Sequence, residues 1–467
     1  MNKKTFATGI TFLFIISTIT PIAIGYKATN YDYEILTQGE LIQSIDNPFE
    51  SDWPMYQHDA LNTGYSQTSF PDSFNKLWFK SYMKDLNINM VSPFASPVTS
   101  NGNIYIPGDT PDLRYEVLCV LNQSNGSLIW KKVMPINPNA TGGFHSYRSP
   151  AIYKGKIFTT LGCFPTFKGK SKIIAYDENT GDTLWEKLYF GLSYYSSVTV
   201  ADDKIFICGH LSFCPISLLY VFDANNGDLL WRKIFRGYIE TTPVVYDNKV
   251  IVVSGRVSGA ILLGYYPKFS GKSRVFAFDI DNGEKIWMNK IWGHLVQCSP
   301  TASGGKLFVP STIMLTHFLG ISRLSTLDLD TGEEIWHRNV IQERGGGWPS
   351  SISTPSVAYD KVFVTDTKSW LHVWDQETGE LIWEKEIIPD DPSLSSGVFV
   401  SPVIIDGKVI VGASANSGFS YNELFMFNES NGEYIWNLKF YGESYAPFVV
   451  SNEMLFVLNV DGIYAFG

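Results

Sequence analysis

Ala175-Tyr176-Asp177-Glu178-Asn179-Thr180-Gly181-Asp182-Thr183-Leu184-Trp185 is the stretch whose reading decides the fold. It reads as a strand, a tight turn and a second strand that ends on tryptophan. Alternation places Ala175 and Asp177 on one side of the first strand. Thr180-Gly181 supplies the turn, because glycine takes positive φ without steric cost. Trp185 carries a large apolar side chain that something must cover. A single hairpin of this kind is barely stable in water, so the unit needs neighbours.

The neighbours are further copies. The pattern recurs as Val117–Trp130, Leu219–Trp231, Val275–Trp287, Leu324–Trp336, Leu371–Trp383 and Leu424–Trp436. The place of Asp177 is taken by Asn122, Asp223, Asp279, Asp328, Asp375 and Asn428, and each copy has Thr or Asn before its turn glycine. Successive tryptophans stand 46 to 56 residues apart, counting Trp78 before the first copy. Between them lies a second recurring element, a Ser-Pro or Thr-Pro step followed by a turn and an alternating run. Examples begin at Ser149-Pro150, Thr242-Pro243, Ser299-Pro300 and Thr354-Pro355, and lead into runs such as Lys249-Val-Ile-Val252. Ser196-Ser197 fills one such place without its proline. Alternation of this kind marks half-buried strands.

Each period thus holds four short strands, the composition of a propeller blade. The predicted fold is all-β, an eight-bladed β-propeller of four-stranded blades. The last period begins at Ala446-Pro447 and ends with Ile463-Tyr-Ala-Phe466, one strand short. Lys76-Leu-Trp78-Phe79 has the form of the missing strand, so the N-terminal strand is expected to pair with the C-terminal blade and close the ring. Closure leaves no sheet with an open seam to template aggregation.

The chain has 467 residues, of which 45% are hydrophobic and 15% aromatic, and its net charge is −10. No basic run extends beyond Lys3-Lys4, which argues against nucleic acid as a partner. Residues 1–25 read as a signal peptide: two lysines, an apolar run from Phe6 to Ile19, and Ala23-Ile24-Gly25 at the cleavage position. An uncleaved anchor is the alternative, and it is the one route to a membrane that the sequence offers. Residues 26–50 read as a flexible polar leader, and 51–467 as the propeller. The five cysteines, Cys119, Cys163, Cys208, Cys214 and Cys298, leave at least one without an intrachain partner. Cys208 and Cys214 are close enough to staple a loop, and small buried hydrophobes are the competing reading.

The pattern Ala-x-Asp-x-x-Thr-Gly-x-x-x-Trp resembles the tryptophan-docking repeat of the pyrroloquinoline-quinone (PQQ)-like eight-bladed propellers. The leader Asp52-Trp53-Pro54-Met55-Tyr56-Gln57-His58-Asp59, with Asn62-Thr63-Gly64, is similar to the lead-in of that superfamily. The superfamily holds both quinoprotein dehydrogenases and non-catalytic scaffolds of the BamB type, so fold alone does not choose between them. The resemblance implies that Trp78, Trp130, Trp185, Trp231, Trp287, Trp336, Trp383 and Trp436 pack between blades. It also implies that Asp177, Thr180 and Gly181 hold their turn, as do their equivalents.

Alternate connections of an antiparallel blade lie on opposite faces. The Thr-Gly turns share one face, and the other carries long, varied connections where function is expected. Loops before the Ser-Pro strands converge on the axis and offer Arg148, Glu240, His294 and Trp348 as candidates for an anionic, planar ligand. Polar and aromatic residues lining a water-filled funnel is the competing reading. Two apolar loops supply a candidate partner surface: Leu262, Leu263, Tyr265, Tyr266 and Phe269 in one, and Met314, Leu315 and Phe318 in the other. Loops that fold over and cap the ring are the alternative. Asn139 is the expected glycosylation site.

The sequence therefore predicts an exported, non-enzymatic propeller scaffold at the cell surface, in the periplasm or outside the cell. Its partner is a protein or envelope component, with no catalytic residue, metal or cofactor predicted. A PQQ-dependent dehydrogenase of alcohols or sugars, with Ca²⁺, is the first alternative, although no vicinal disulfide or haem-binding motif is present. A carbohydrate-binding propeller is the second.

Overall fold

The computed structural model describes residues 52–89, 95–112, 115–135, 148–162, 170–191, 196–211, 216–255, 272–293, 298–314, 319–343, 352–366, 368–387, 400–414, 421–441, 448–459 and 461–467. They form eight blades of four antiparallel strands from the axis outward, consecutive in the chain in all but the eighth, and the short strand Tyr65–Ser66 adds a fifth to the sheet of blade 7. Blade 1 spans 98–135, blade 2 151–190, blade 3 199–236, blade 4 244–291, blade 5 301–343, blade 6 356–386 and blade 7 403–441. Blade 8 takes Val449–Ser451, Met454–Leu458 and Gly462–Phe466 from the end of the chain and Lys76–Ser81 from its start. Lys80 pairs with Ile463 and Lys76 with Phe466, so the seam closes as the sequence implies. Gly467 and Asn75 exchange backbone hydrogen bonds where a turn would otherwise join these strands.

The quoted stretch forms the third strand, turn and fourth strand of blade 2, Lys170–Asp177 and Thr183–Phe190. The Asp177 carboxylate accepts from the backbone N–H groups of Asn179 (3.0 Å) and Thr180 (2.9 Å), and these bonds hold its pKa below the usual carboxylate range. Asp223, Asp279, Asp328 and Asp375 brace their turns in the same way. The side-chain oxygens of Asn122 and Asn428 also accept turn N–H groups.

A bulge follows each turn, so that Trp185 pairs with Ala175, Trp287 with Ala277 and Trp78 with Ala465. The bulged tryptophan lies across the turn glycine of the next blade. A methyl group added to Gly332 would stand 2.4 Å from the Trp287 ring, and one added to Gly181 would stand 3.0 Å from Trp130. Trp78, Trp231, Trp287, Trp336 and Trp383 also donate Nε1–H to a carbonyl of the next blade at 2.8 to 3.2 Å. At the seam Phe74 takes the glycine's place, with its ring 5.1 Å from that of Trp436. One glycine with positive φ and one indole therefore lock seven of the eight joints between blades.

The core lies between the blades, in the second and third strands. Cys119 and Cys208 are both fully buried there, and burial pushes the Cys119 thiol up to about 12. Cys163 and Cys214 lie outside the described residues. Among the described residues no helix is long and apolar enough to cross a membrane.

Candidate functional site

The entries to the three-residue inner strands bring one Ser or Thr from each of blades 1 to 6 to the axis. Ser96 N–H donates to Ser149 Oγ (2.9 Å), Ser149 to Ser197 (3.1 Å), Ser197 to Thr242 Oγ1 (3.1 Å), Thr242 to Ser299 (2.9 Å) and Ser299 to Thr354 Oγ1 (3.0 Å). This ring accounts for the recurring Ser-Pro and Thr-Pro steps. The hydroxyl receives the preceding blade's N–H, while proline holds the residue before it extended and brings no donor of its own. Ser197 occupies its place in the ring with Val198 standing where proline would.

The segment that follows Asp52 crosses the axis beneath this ring. Trp53 N–H donates to Thr99 Oγ1 (2.7 Å), and its carbonyl accepts from Thr99 N–H (2.9 Å) in blade 1. The carbonyls of Pro54, Ala60, Leu61, Thr63 and Gly64 accept from Ile152, Val245, Ala302, Val357 and Ile404, the middle residues of the inner strands of blades 2, 4, 5, 6 and 7. Tyr65–Ser66 then runs parallel to the inner strand of blade 7. Met55 and Ala60 share a core with Val198 and Val200 of blade 3. The Asp52 carboxylate accepts from Asn101 N–H (3.0 Å) and meets Ser451 of blade 8. Twelve or so residues thus tie all eight blades together near the short-turn face.

The belt is bent to do this. Gln57, His58 and Asn62 have φ of 53°, 77° and 59°, a left-handed conformation that side chains disfavour. Asp59 stabilises the second bend. Its carboxylate accepts from Leu61 N–H and Thr63 N–H, both at 3.0 Å, and from the Thr63 hydroxyl. Tyr56 rises from the belt to place its hydroxyl 3.1 Å from Thr354 Oγ1, in the ring above. Burial pushes this phenol above its ordinary pKa, so it stays protonated and serves as a neutral hydrogen-bonding group. Asn62 Oδ1, Ser96 Oγ and Thr241 Oγ1 are buried near the axis without a protein partner among the described residues.

Of the ligand candidates, Arg148 and Glu240 are both buried. Arg148 turns into its own blade, where Nη1 donates to Thr160 Oγ1 at 2.7 Å. Its charge and burial together lower the nearby His210 to about 4, burial being the larger cause. His294 and Trp348 lie outside the described residues. So do Leu262, Leu263, Tyr265, Tyr266, Phe269, Leu315, Phe318, Asn139 and residues 1–51, and Met314 is described only as the end of the strand Lys306–Met314.

A bound quinone with Ca²⁺ would need cationic groups for its carboxylates and a cluster of acidic and amide oxygens for the metal. Among the described residues no three His, Cys, Asp or Glu side chains stand close enough to hold a metal ion. Arg148 is engaged within its blade. The described residues therefore do not assemble that donor set.

The axial belt and the hydroxyl ring carried only faint sequence signals. The unusual density of Asp, Asn and Gly in Asp59-Ala-Leu-Asn62-Thr63-Gly64 marks a bent segment, but nothing in it names the inner strands it meets.

Comparison with known proteins agrees with this geometry. Residues 169–364, 321–423 and 368–466 match the family model described as outer membrane protein assembly factor BamB. No curated protein matches the sequence. Among solved structures, a quinohemoprotein alcohol dehydrogenase from Comamonas testosteroni superposes with a TM-score of 0.62 at 14% identity, covering 92% of this chain and 83% of that one. A europium-containing methanol dehydrogenase gives 0.59 at 13% identity, with 90% and 91% covered. BamB from Moraxella catarrhalis gives 0.52 at 16% identity, with 84% and 97% covered. At these identities the likeness is one of fold, and it embraces dehydrogenases and an assembly factor alike. With the family model matching well over half of its length, the chain belongs to the BamB family of PQQ-like β-propellers.

Proposed function

We propose that this protein is an exported, non-enzymatic scaffold that binds a protein partner in the cell envelope through the face bearing the long connections. The observation that carries the reading is the unlikeness of the two faces. On one, the turns are short and their polar groups are engaged in holding the fold, as the Asp177-type braces and the axial belt illustrate. On the other, the connections differ from blade to blade in length and composition, as 136–147, 256–271 and 388–399 illustrate. Variable loops on a rigid ring are the usual place for recognition. Membership of a family described as an assembly factor supports the same reading.

Within that face the connection with Leu262, Leu263, Tyr265, Tyr266 and Phe269, together with Met314 at its strand end and Leu315 and Phe318 after it, supplies the apolar centre of the contact. The test is affinity capture from the native envelope with the full chain and with a variant carrying Leu262→Ser, Leu263→Ser, Leu315→Ser and Phe318→Ser. The expected result is a partner that the parent captures and the variant does not, at unchanged thermal stability. Equal capture by both overturns the surface assignment. Incubation with PQQ and Ca²⁺ tests the enzymatic alternative: a bound-cofactor absorbance with dye reduction by alcohols or sugars overturns the scaffold reading.

A further inference from the structure

The outermost strand of each blade has no neighbour beyond it, and the eight are not alike. Those of blades 2, 3 and 4 are Thr183–Phe190, Leu229–Arg236 and Lys285–Ile291. Between them they carry Lys187, Arg232, Lys233, Arg236, Lys285 and Lys290 against the single carboxylate of Glu186, while those of blades 8 and 1 add two lysines each and no carboxylate. The outer strands of blades 5, 6 and 7 carry three cations, Arg338, Lys385 and Lys439, against four carboxylates, Glu334, Glu343, Glu384 and Glu386. A basic sector is unexpected on a chain whose net charge is −10.

The same sector is apolar. Leu188 is 58% exposed and Ile234 66% exposed, the two highest values among the large hydrophobic side chains of the described residues. Leu184, Leu229, Leu230, Ile286 and Met288 are exposed around them. Lys187 is paired with Asp228 at 2.9 Å, and Lys233 lies over the Trp231 and Phe278 rings. Arg232, Arg236, Lys285 and Lys290 make no ion pair among the described residues. In the outer strand of blade 3, Leu230, Arg232, Ile234 and Arg236 alternate along one side of the strand, apolar with basic.

We infer that the rim at blade 3, flanked by blades 2 and 4, docks on an anionic lipid surface. Exposed aliphatic side chains gain by entering the interfacial zone of a bilayer, and cations beside them gain from anionic headgroups. A water-facing function needs the cations and not the exposed Ile234. A protein partner of ordinary composition does not explain why Arg232, Arg236, Lys285 and Lys290 stand together without an ion pair among the described residues. Docking by the rim sets the propeller axis along the membrane plane and leaves both faces open to partners.

The test is co-sedimentation of the full chain with phosphatidylcholine vesicles, with and without about 30% phosphatidylglycerol. The readout is the gain in affinity on adding the anionic lipid, which cancels any contribution from residues 1–25. The parent should gain at least tenfold, and the gain should shrink as salt is raised. Each cation removed should cost about fivefold, so Arg232→Glu, Arg236→Glu and Lys290→Glu together should abolish the gain. Ile234→Ser should weaken binding at every salt concentration. Arg338→Glu, Lys385→Glu and Lys439→Glu, on the far rim, should leave the gain intact. No gain for the parent overturns the inference. So does an equal loss with the far-rim substitutions. Light scattering that shows a parent dimer dissociated by Ile234→Ser assigns the sector to a second copy of the chain and likewise overturns it.

Discussion

Replacing Gly332 by alanine tests the device that holds the ring together. Gly332 has φ of +73°, and an added methyl group would meet Trp287 Cε3 at 2.4 Å and Cδ2 at 2.7 Å. Ordinary carbon contacts are about 3.5 Å or longer, so the indole has to retreat by roughly 1 Å. Trp287 is buried, and its Nε1 donates to Leu329 O at 2.9 Å. The left-handed backbone costs an alanine about 1–2 kcal/mol. Weakening the indole hydrogen bond costs about 1 kcal/mol more, and lost packing adds a fraction of the roughly 3–5 kcal/mol that a buried tryptophan contributes. G332A should therefore destabilise by about 3 kcal/mol. In a Trp287→Ala background the ring is gone, and only the backbone cost of about 1–2 kcal/mol remains. Urea unfolding followed by far-ultraviolet circular dichroism, on the parent, both single variants and the double variant, measures the difference. The same cost for G332A in both backgrounds refutes the argument that the glycine is there to admit the indole.

Three further outcomes are expected. His210, whose ring Nδ1 is buried, has its pKa lowered to about 4 against about 6.5 in an unfolded chain. The unfolded chain then takes up a proton that the folded one refuses, so stability should fall as pH drops from about 6.5 to about 4 and level off below. The loss is at most about 3 kcal/mol, because part of the side chain reaches solvent, and His210→Gln should flatten that limb of a stability–pH profile. Burial first, and then the Glu178 carboxylate, raise the pKa of Asp52. The charged form therefore costs stability at neutral pH, and Asp52→Asn should unfold at the same temperature as the parent or a higher one, with the difference vanishing in acid. Gly64→Ala puts a methyl group 2.5 Å from Ser356 Oγ at φ +63°, and limited proteolysis should then cut the belt before it cuts the blades.

Much of the fold was legible because it repeats. Trp185 alone is one aromatic residue in a hairpin, but the same residue seven times more, each four places past a turn glycine except at the broken blade, identifies a ring of stacked sheets. Phe466 ending one strand early, with Trp78 waiting near the start, identified the seam. The candidate site was legible only in outline. The Ser-Pro steps announced the inner strands without revealing that Ser149 and Ser197 hydrogen-bond around the axis. Arg148 looked available to a ligand, yet it turns to Thr160, because an unpaired guanidinium buried at the blade edge is costlier than one that donates to a hydroxyl.

What the sequence determined by itself is whatever follows from local pattern and its repetition: strand identity from alternation, turns from Asp-x-x-Thr-Gly, blade number from the tryptophans. Such signals arise from neighbours within a dozen residues, and each copy averages out the noise of the others. Contacts between segments hundreds of residues apart and used once were decided only in three dimensions. The belt is the clearest case. Leu61 meets Ala302, and Gly64 meets Ile404, through backbone groups that every residue shares, so no side chain records the pairing. The basic apolar rim is another, since the outer strands Leu229–Arg236 and Lys285–Ile291 form one sector only when blades 3 and 4 are set side by side around a common axis.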